Sequence, residues 1–426
     1  MHFEGPNMGS LFTDLWRGTM RCDATDDKDS WDWAVFRDKT VWMDHGASVA
    51  ACAQYLPGSF DRPPRNPAEK INTYYKAWEF ILWLWGLGPG LLYGILPDKY
   101  WQNFCKFVRG VQIMSQHSLT FEDIQEAHRC FCEWEYEFEC IYYQRRADRI
   151  HFVRPCAHQG NHLATEGFRS GPSACYAQWT MERVIGMLGM EIRQPSNPFS
   201  NLTFLAIRRC QINALKVMIP DLEPPDNPLP NHSVNLGGGY VLLRARDRYN
   251  YHPSEAESQV IGEFLDAPVP KFKRWARLRL PNGQVARCAW KETLKPAEKV
   301  RMARNVKVTV SPDADDINNN ENDGELEYHD DEIYRFVTVA MVSVYSRPDP
   351  ELLQKSMQTV WSCKYHGDEA LQLVSAKSIQ SIVAMIPHRP KLQSGVVEDR
   401  FFLLEKPGLG LVTVDEEVED EADGDE

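Results

Sequence analysis

No CxxC pair and no dense cysteine framework occur in this sequence: its eleven cysteines are an odd number spread thinly over 426 residues. That excludes a disulfide-stapled scaffold and predicts reduced thiols in the nucleus or cytoplasm. The first residues, MHFEGPNMGSLFTDLWRG, lack a basic flank followed by an apolar run. No secretory signal is therefore expected, and the sequons at Asn201 and Asn231 are accidental. Also missing are a Gly-x-Ser-x-Gly elbow, an HExxH helix and a dinucleotide fingerprint. Hydrolase, zinc-protease and dehydrogenase chemistry have no local support, and no small-molecule substrate is expected. Leu236 to Tyr240, LGGGY, lacks the Lys-Ser/Thr of a phosphate loop and reads as a turn.

Charge-free runs long enough to matter are equally scarce. One, FILWLWGLGPGLLYGIL from Phe80 to Leu96, reaches the lower length of a membrane span. Gly86, Gly88, Pro89 and Gly90 would break a helix in its middle, where lipid offers no partner for the freed backbone groups. Two short buried helices joined at Gly-Pro-Gly are expected, and no membrane partner.

What is present is an apolar share of 43%, enough for a large core and two domains. The formal charge of −13 is uneven: ten acids lie between Asp313 and Glu332 and nine between Asp415 and Glu426. Setting those nineteen aside leaves +6 on the rest, so the foldable part is mildly basic and a DNA partner meets no electrostatic objection. The acidic runs repel themselves and stay solvated; the tail reads first as a solubilising end.

Asn66, Pro67 and Glu69 are placed to start a helix running to about Trp85. Asp98 can cap a second helix, with Trp101, Phe104, Phe107 and Val111 on one face. Thr120 and Asp123 open a third, in which Ile124, Ala127, Phe131, Trp134, Phe138 and Ile141 alternate by three and four. Further helices are expected over 158–168, 178–192 and 201–218. Five prolines between Pro220 and Pro230 then end regular structure. Beyond them, short β-branched or aromatic runs at 240–244, 274–280, 284–290, 334–345, 371–375, 379–386 and 400–405 read as strands. The expected class is α+β: a mostly helical part over 1–219, a Pro-rich linker over 220–235, and a small β-rich domain over 236–410. That domain carries an acidic disordered insert at 311–332, and an acidic disordered tail follows at 411–426.

Several residues could carry chemistry. His158 and His162, spaced i, i+4, share a helix face, and with Cys156 and Cys175 they make a zinc set of low specificity; packing or hydrogen-bonding histidines are the commoner reading. Arg145, Arg146, Arg149, His151 and Arg154 form one basic cluster. Lys271 to Lys307 forms another, with twelve Lys or Arg against two Glu; Lys271, Lys273, Arg274 and Arg277 lead it, with Phe272, Trp275 and Trp290 interleaved. That suits phosphate contact with some base stacking. A solvated basic face balancing the acidic insert explains it equally well. Glu182, taken alone, is an ordinary helix-surface acid.

The stretch RPCAHQGNHLATEGFRSGPSACYAQWTMERVIGMLGMEIRQ, Arg154 to Gln194, resembles the C-terminal part of the core of CACTA-type DDE transposases, the fungal Plavaka-like group especially. There a His-containing helix, a Gly-Pro turn and a Trp-Thr-Met-Glu-Arg helix follow one another. Leu15-Trp16-Arg17-Gly18, LPGSFDRPPRNPAEKINTYYKAWEF from Leu56 and YYQRRADRIHFVRP from Tyr142 extend the likeness, and more loosely so do IQSIVAMIP from Ile379 and FFLLEKPG from Phe401. The resemblance implies an RNase H-like core with a large helical insertion, and a third metal-binding acid at Glu182, with Glu166 as its rival. It also implies Mg2+ held by three carboxylates, since in-line displacement at phosphorus needs both oxygens stabilised.

In that family an aspartate precedes a Met-His pair, and here Met1-His2, Asn7, Leu11 and Phe12 keep the spacing. The chain thus begins immediately after the aspartate it would need. One acid cannot grip two metals, so the expectation is a nuclear, transposon-derived protein, N-terminally truncated and without strand transfer by itself. Alternatives are a DNA- or chromatin-binding module using the β-rich domain, and a subunit completed by a full-length transposase chain.

Overall fold

The structure, a computed structural model, describes residues 3–60, 62–192, 196–219, 222, 229–244, 246–296, 299–300, 302–309, 327–329, 332–334 and 337–408. It is α+β, with small antiparallel sheets. The acidic tail, Met1, His2, residues 220–221 and 223–228 of the expected linker, and residues 311–326 and 330–331 of the acidic insert lie outside the described residues. At the end of the expected insert, Glu327–His329 pairs antiparallel with Glu332–Tyr334.

Helices α1 (Met8–Trp16), α2 (Lys39–Ala51), α3 (Asp98–Met114), α4 (Phe121–Phe138) and α5 (Pro155–Ser170) build the first core. α4 starts where local chemistry dictates. Thr120 Oγ1 accepts from the Asp123 amide at 3.1 Å, and Asp123 Oδ2 accepts from the Thr120 amide at 2.9 Å, a reciprocal cap. Ala127, Phe131, Trp134 and Phe138 are fully buried, while Cys130 is buried and Cys132 exposed. Aromatic rings dominate this core. Phe12 meets Trp16, Trp85, Phe104, Phe107 and Trp134 at centroid distances of 5.2 to 6.0 Å.

The helix expected from Asn66 to Trp85 is interrupted. Asn66 does cap, Oδ1 accepting from the Ala68 amide at 2.9 Å, but the helix ends at Lys70 and resumes over Ala77–Phe80. The break comes from a partner outside the helix. The fully buried Glu79 accepts from Arg65 Nε and Nη2, both at 2.7 Å, and from the Lys76 amide at 2.8 Å. That pulls Lys76 into a second N-cap and leaves Tyr74 left-handed at φ 53°.

The Gly-Pro-Gly segment also differs from expectation. A wide-wound turn over Ile81–Leu87 runs directly into a helix over Gly88–Leu91, so the glycines lie in the helical path rather than in a joint. Close approach explains them. A Cβ on Gly90 would stand 2.6 Å from Phe402 Cε1, and one on Gly86 3.0 Å from Leu404 Cδ1. Among the described residues no helix is long and apolar enough to cross a membrane.

A second core lies under the four-stranded sheet β1 (Val234–Asn235), β2 (Val241–Leu242), β3 (Arg277–Arg279) and β4 (Val285–Arg287), where β5 (Val306–Val308) pairs with the strand Ile379–Ile382. Phe402 and Leu404 lie on a further strand, Arg400–Leu404, which pairs with Ala384–His388 on one side and Ser362–Cys363 on the other. Leu352, Val360, Ala384, Ile386, Phe402 and Leu404 all enter the first core, which therefore draws on both sides of the Pro-rich segment. Helices α6 (Trp179–Glu191) and α7 (Pro198–Met218) form a hairpin packed on itself.

Two further glycines flank one ring. A Cβ on Gly110 in α3 would stand 2.7 Å from Phe131 Cζ, and one on Gly160 in α5 3.2 Å from Phe131 Cδ1. Gly160 costs its helix about 1 kcal/mol in propensity and returns it as room for Phe131. Gly110→Ala is expected to destabilise by about 1–3 kcal/mol through overpacking, measured by urea unfolding. Gly160→Ala should be near neutral, because propensity gain and crowding oppose each other.

Candidate nucleic-acid interface

The four-stranded sheet is built on a glycine turn. Gly237, Gly238 and Gly239 all have positive φ, between 56° and 84°, and the Tyr240 amide donates to Gly237 O at 3.0 Å, so LGGGY closes the β1–β2 hairpin. The β3–β4 hairpin is anchored from below. Asn282 Nδ2 donates to Gln380 O at 3.0 Å, and the buried Gln284 accepts from the Ile382 amide at 2.9 Å.

Side chains alternate along β3 and β4. Leu278 and Ala286 are buried in the second core, so Arg277, Arg279 and Arg287 stand on the opposite face. Arg277 pairs directly with Arg287 across the strands, and Arg279 with Val285. Like charges directly opposite each other are destabilising. Arg277 Nη2 donates to Arg244 O at 2.5 Å, and none of the three has a carboxylate partner within ion-pair distance among the described residues. The face thus concentrates positive charge that no carboxylate of the described residues pairs with.

Lys271 and Lys273 are exposed beside this face. Arg274 is committed inward: its Nε donates to Asp247 Oδ2 at 2.9 Å, and its guanidinium carbon lies 3.5 Å from the Tyr251 ring centroid and 4.3 Å from that of Trp290. Trp290 therefore holds Arg274 rather than standing free to stack on a base. Phe272 likewise packs against Tyr251, centroids 5.9 Å apart.

The other basic cluster behaves differently from the phosphate-binding expectation. Arg149 is buried with 1% of its side chain exposed. It donates to Asp26 at 2.8 and 2.6 Å and to Gln144 Oε1 at 2.8 Å, beneath the Trp33 ring at 5.1 Å. Burial opposes ionisation of Asp26, but hydrogen bonds from Arg149 and Trp31 outweigh it and hold the carboxyl below its usual range. Arg146 is held by Asp148 at 2.6 Å and Asp26 at 3.2 Å, and its hydrogen bond keeps the Asp148 carboxyl down at about 2. Of the expected trio only Arg145 is exposed, near Glu139 at 3.9 Å. Arg149 carries charge for the fold, because a buried guanidinium with every nitrogen engaged has no capacity left for phosphate, and Arg146 is shared between two carboxylates.

Glu182 stands exposed on α6, and Glu166 on α5 pairs with Arg169 at 3.3 Å. His158 and His162 do meet, with ring centroids 4.8 Å apart, but His158 Nδ1 lies 3.0 Å from Glu135 Oε1 and Asn161 donates to the same carboxylate. Cys156 is buried, which pushes its thiol up. Cys175 is exposed. Among the described residues no group of three or more His, Cys, Asp or Glu is gathered to hold a metal. Leu15 and Trp16 of the Leu-Trp-Arg-Gly motif are fully buried, Trp16 Nε1 donating to Tyr142 Oη at 3.0 Å, so this motif is part of the core.

Sequence reasoning did not single out Arg279 and Arg287. The signal was the alternation Arg-Leu-Arg followed by Val-Ala-Arg across an Asn-Gly turn. No family model matches the chain, and neither curated proteins nor solved structures give a match.

Proposed function

We propose that this chain is a transposon-derived nuclear protein that holds DNA by its phosphate backbone through the arginine face of β3 and β4, and that it does not carry out strand transfer alone. Its helical part would derive from the insertion and the end of an RNase H-like core. The sequence resemblance around Glu182 supports that origin. Strand transfer would require Mg2+ on three converging carboxylates, of which the resemblance gives this sequence only the one at Glu182.

One observation carries the DNA reading: Arg277 directly opposite Arg287, with Arg279 two residues on, and no carboxylate paired with any of them among the described residues. Such an arrangement costs stability unless an anion lies across it, and a polyanion of regular phosphate spacing satisfies several arginines at once. Binding of a fluorescent duplex of about 20 base pairs, followed by anisotropy between about 50 and 200 mM salt, tests this. Arg277→Ala, Arg279→Ala and Arg287→Ala together are expected to remove binding at the upper salt. At low salt they should flatten the log–log salt slope by about 3, near 0.9 per lost phosphate contact. Arg145→Ala should change it by at most about 1. A triple variant that binds like the unaltered protein, or unaltered protein that does not bind, refutes the reading.

A further inference from the structure

Helix α7 is apolar on two sides. On one side Leu202, Leu205, Ala206 and Arg209 are all partly covered, and Arg209, ion-paired to Glu191 of α6, marks this as the side toward that helix. On the far side Phe204, Ile207, Leu215 and Met218 are 72%, 49%, 48% and 76% exposed, flanked by Ile212 and Ile219 at 45% and 46%. No residue of α7 is buried. Gln211 sits in the middle of this outer stripe, and Arg208 lies at its edge, beside Ile212.

The spacing around Gln211 is symmetric. Ile207 and Leu215 lie four residues to either side of it, and Phe204 and Met218 seven. These offsets place all five on one helix face. A stripe that reads alike in both directions is self-complementary under a two-fold axis through its centre, the property an isologous interface requires. We infer that α7 pairs antiparallel with α7 of a second copy of this chain, Phe204 facing the other copy's Met218 and Ile207 its Leu215.

The two Gln211 amides then meet at the axis. Each can donate and accept, and a lone polar residue in an apolar seam fixes register at some cost in stability. The area suffices. Six large apolar side chains at about half exposure or more present on the order of 600 Å2 per copy, and Ala214, Gln211 and the Arg208 stem add to it. A stable interface needs about 800 Å2 per partner, and about 600 Å2 is already at the upper end of what a monomer leaves open.

Sedimentation of the full chain at roughly 50 μM provides the test, with circular dichroism as a control for folding. The unaltered protein is expected to be a dimer. Ile207→Glu and Leu215→Lys should each be monomeric, weakening the pair by at least ~100-fold because each substitution is present twice. Mixing the two variants should restore a dimer, because the carboxylate introduced in one chain then faces the ammonium introduced in the other; a parallel pair would not recover. Val217→Glu, off the stripe, should leave the dimer intact. A monomeric unaltered protein, a dimer indifferent to Ile207→Glu, or a mixture that stays monomeric would each overturn the inference.

Discussion

Arg149→Ala is expected to lower the unfolding free energy by about 3 kcal/mol, because it takes two charged donors from a buried carboxylate and leaves it, as ionic partner, only the longer contact to Arg146. Asp26 has 1% of its side chain exposed, and besides Arg149 it has Trp31 Nε1 donating at 2.9 Å and Arg146 Nη2 at 3.2 Å. Removing the guanidinium also uncovers the Trp33 face. Lysine is a poor substitute, since it cannot reproduce two parallel donors to Asp26 and a third to Gln144. The discriminating measurement is a double-mutant cycle in urea. If the loss comes from the under-paired charge, Arg149→Met combined with Asp26→Asn should cost well below the sum of the two single changes. Additive losses would show that packing against Trp33 is the larger part.

Acid should destabilise the protein earlier than carboxylate protonation alone requires. His45 is 2% exposed, and its Nε2 accepts from Trp83 Nε1 at 3.0 Å. The proton of the neutral ring therefore sits on Nδ1, which is buried without a partner among the described residues. Burial holds its pKa down at about 3. The unfolded chain takes up a proton near 6.5 and the folded chain does not until about 3, so the unfolded state binds more protons between these values. Stability is then fully present above about pH 6.5 and falls as the pH drops toward the folded value. At pH 4.5 the loss from His45 alone is about 2–3 kcal/mol. His388, pushed down to about 4 by burial and then by Arg400, acts in the same direction. Asp26, with its depressed pKa, adds its loss only at still lower pH, below about 4. His45→Gln keeps an acceptor for Trp83 and removes the titration, so its unfolding free energy should be flatter between pH 7 and 4.5. Equal slopes for the two proteins over that range would show that His45 is not the source.

How much of this was legible in the sequence follows the distance between partners. The α4 cap was readable because Thr120 and Asp123 are three residues apart, and the exposure of Cys132 beside buried Cys130 follows from helix period alone. The interruption before Ala77 was not, because it depends on Arg65 reaching Glu79 across a turn. Arg149 looked like a phosphate ligand because its partner, Asp26, lies 123 residues away. The face of Arg277, Arg279 and Arg287 was half legible. Alternation shows that they share a side, and only the pairing of β3 with β4 shows that two of them oppose each other. The symmetry of the α7 stripe was present in the residues, but its exposure became visible only once α6 was seen to cover the opposite side.

The seating of Phe402 against Gly90 has a consequence for biosynthesis. The contact joins residues 312 positions apart, and Tyr93 Oη donating to Lys391 O at 2.8 Å spans nearly as far. A ribosome working at roughly 5–20 residues per second delivers Phe402 about 15–60 s after Gly90. Throughout that interval the glycine-lined helix waits with its lid unmade, a sticky surface on a nascent chain. Holdase chaperones should find a target there.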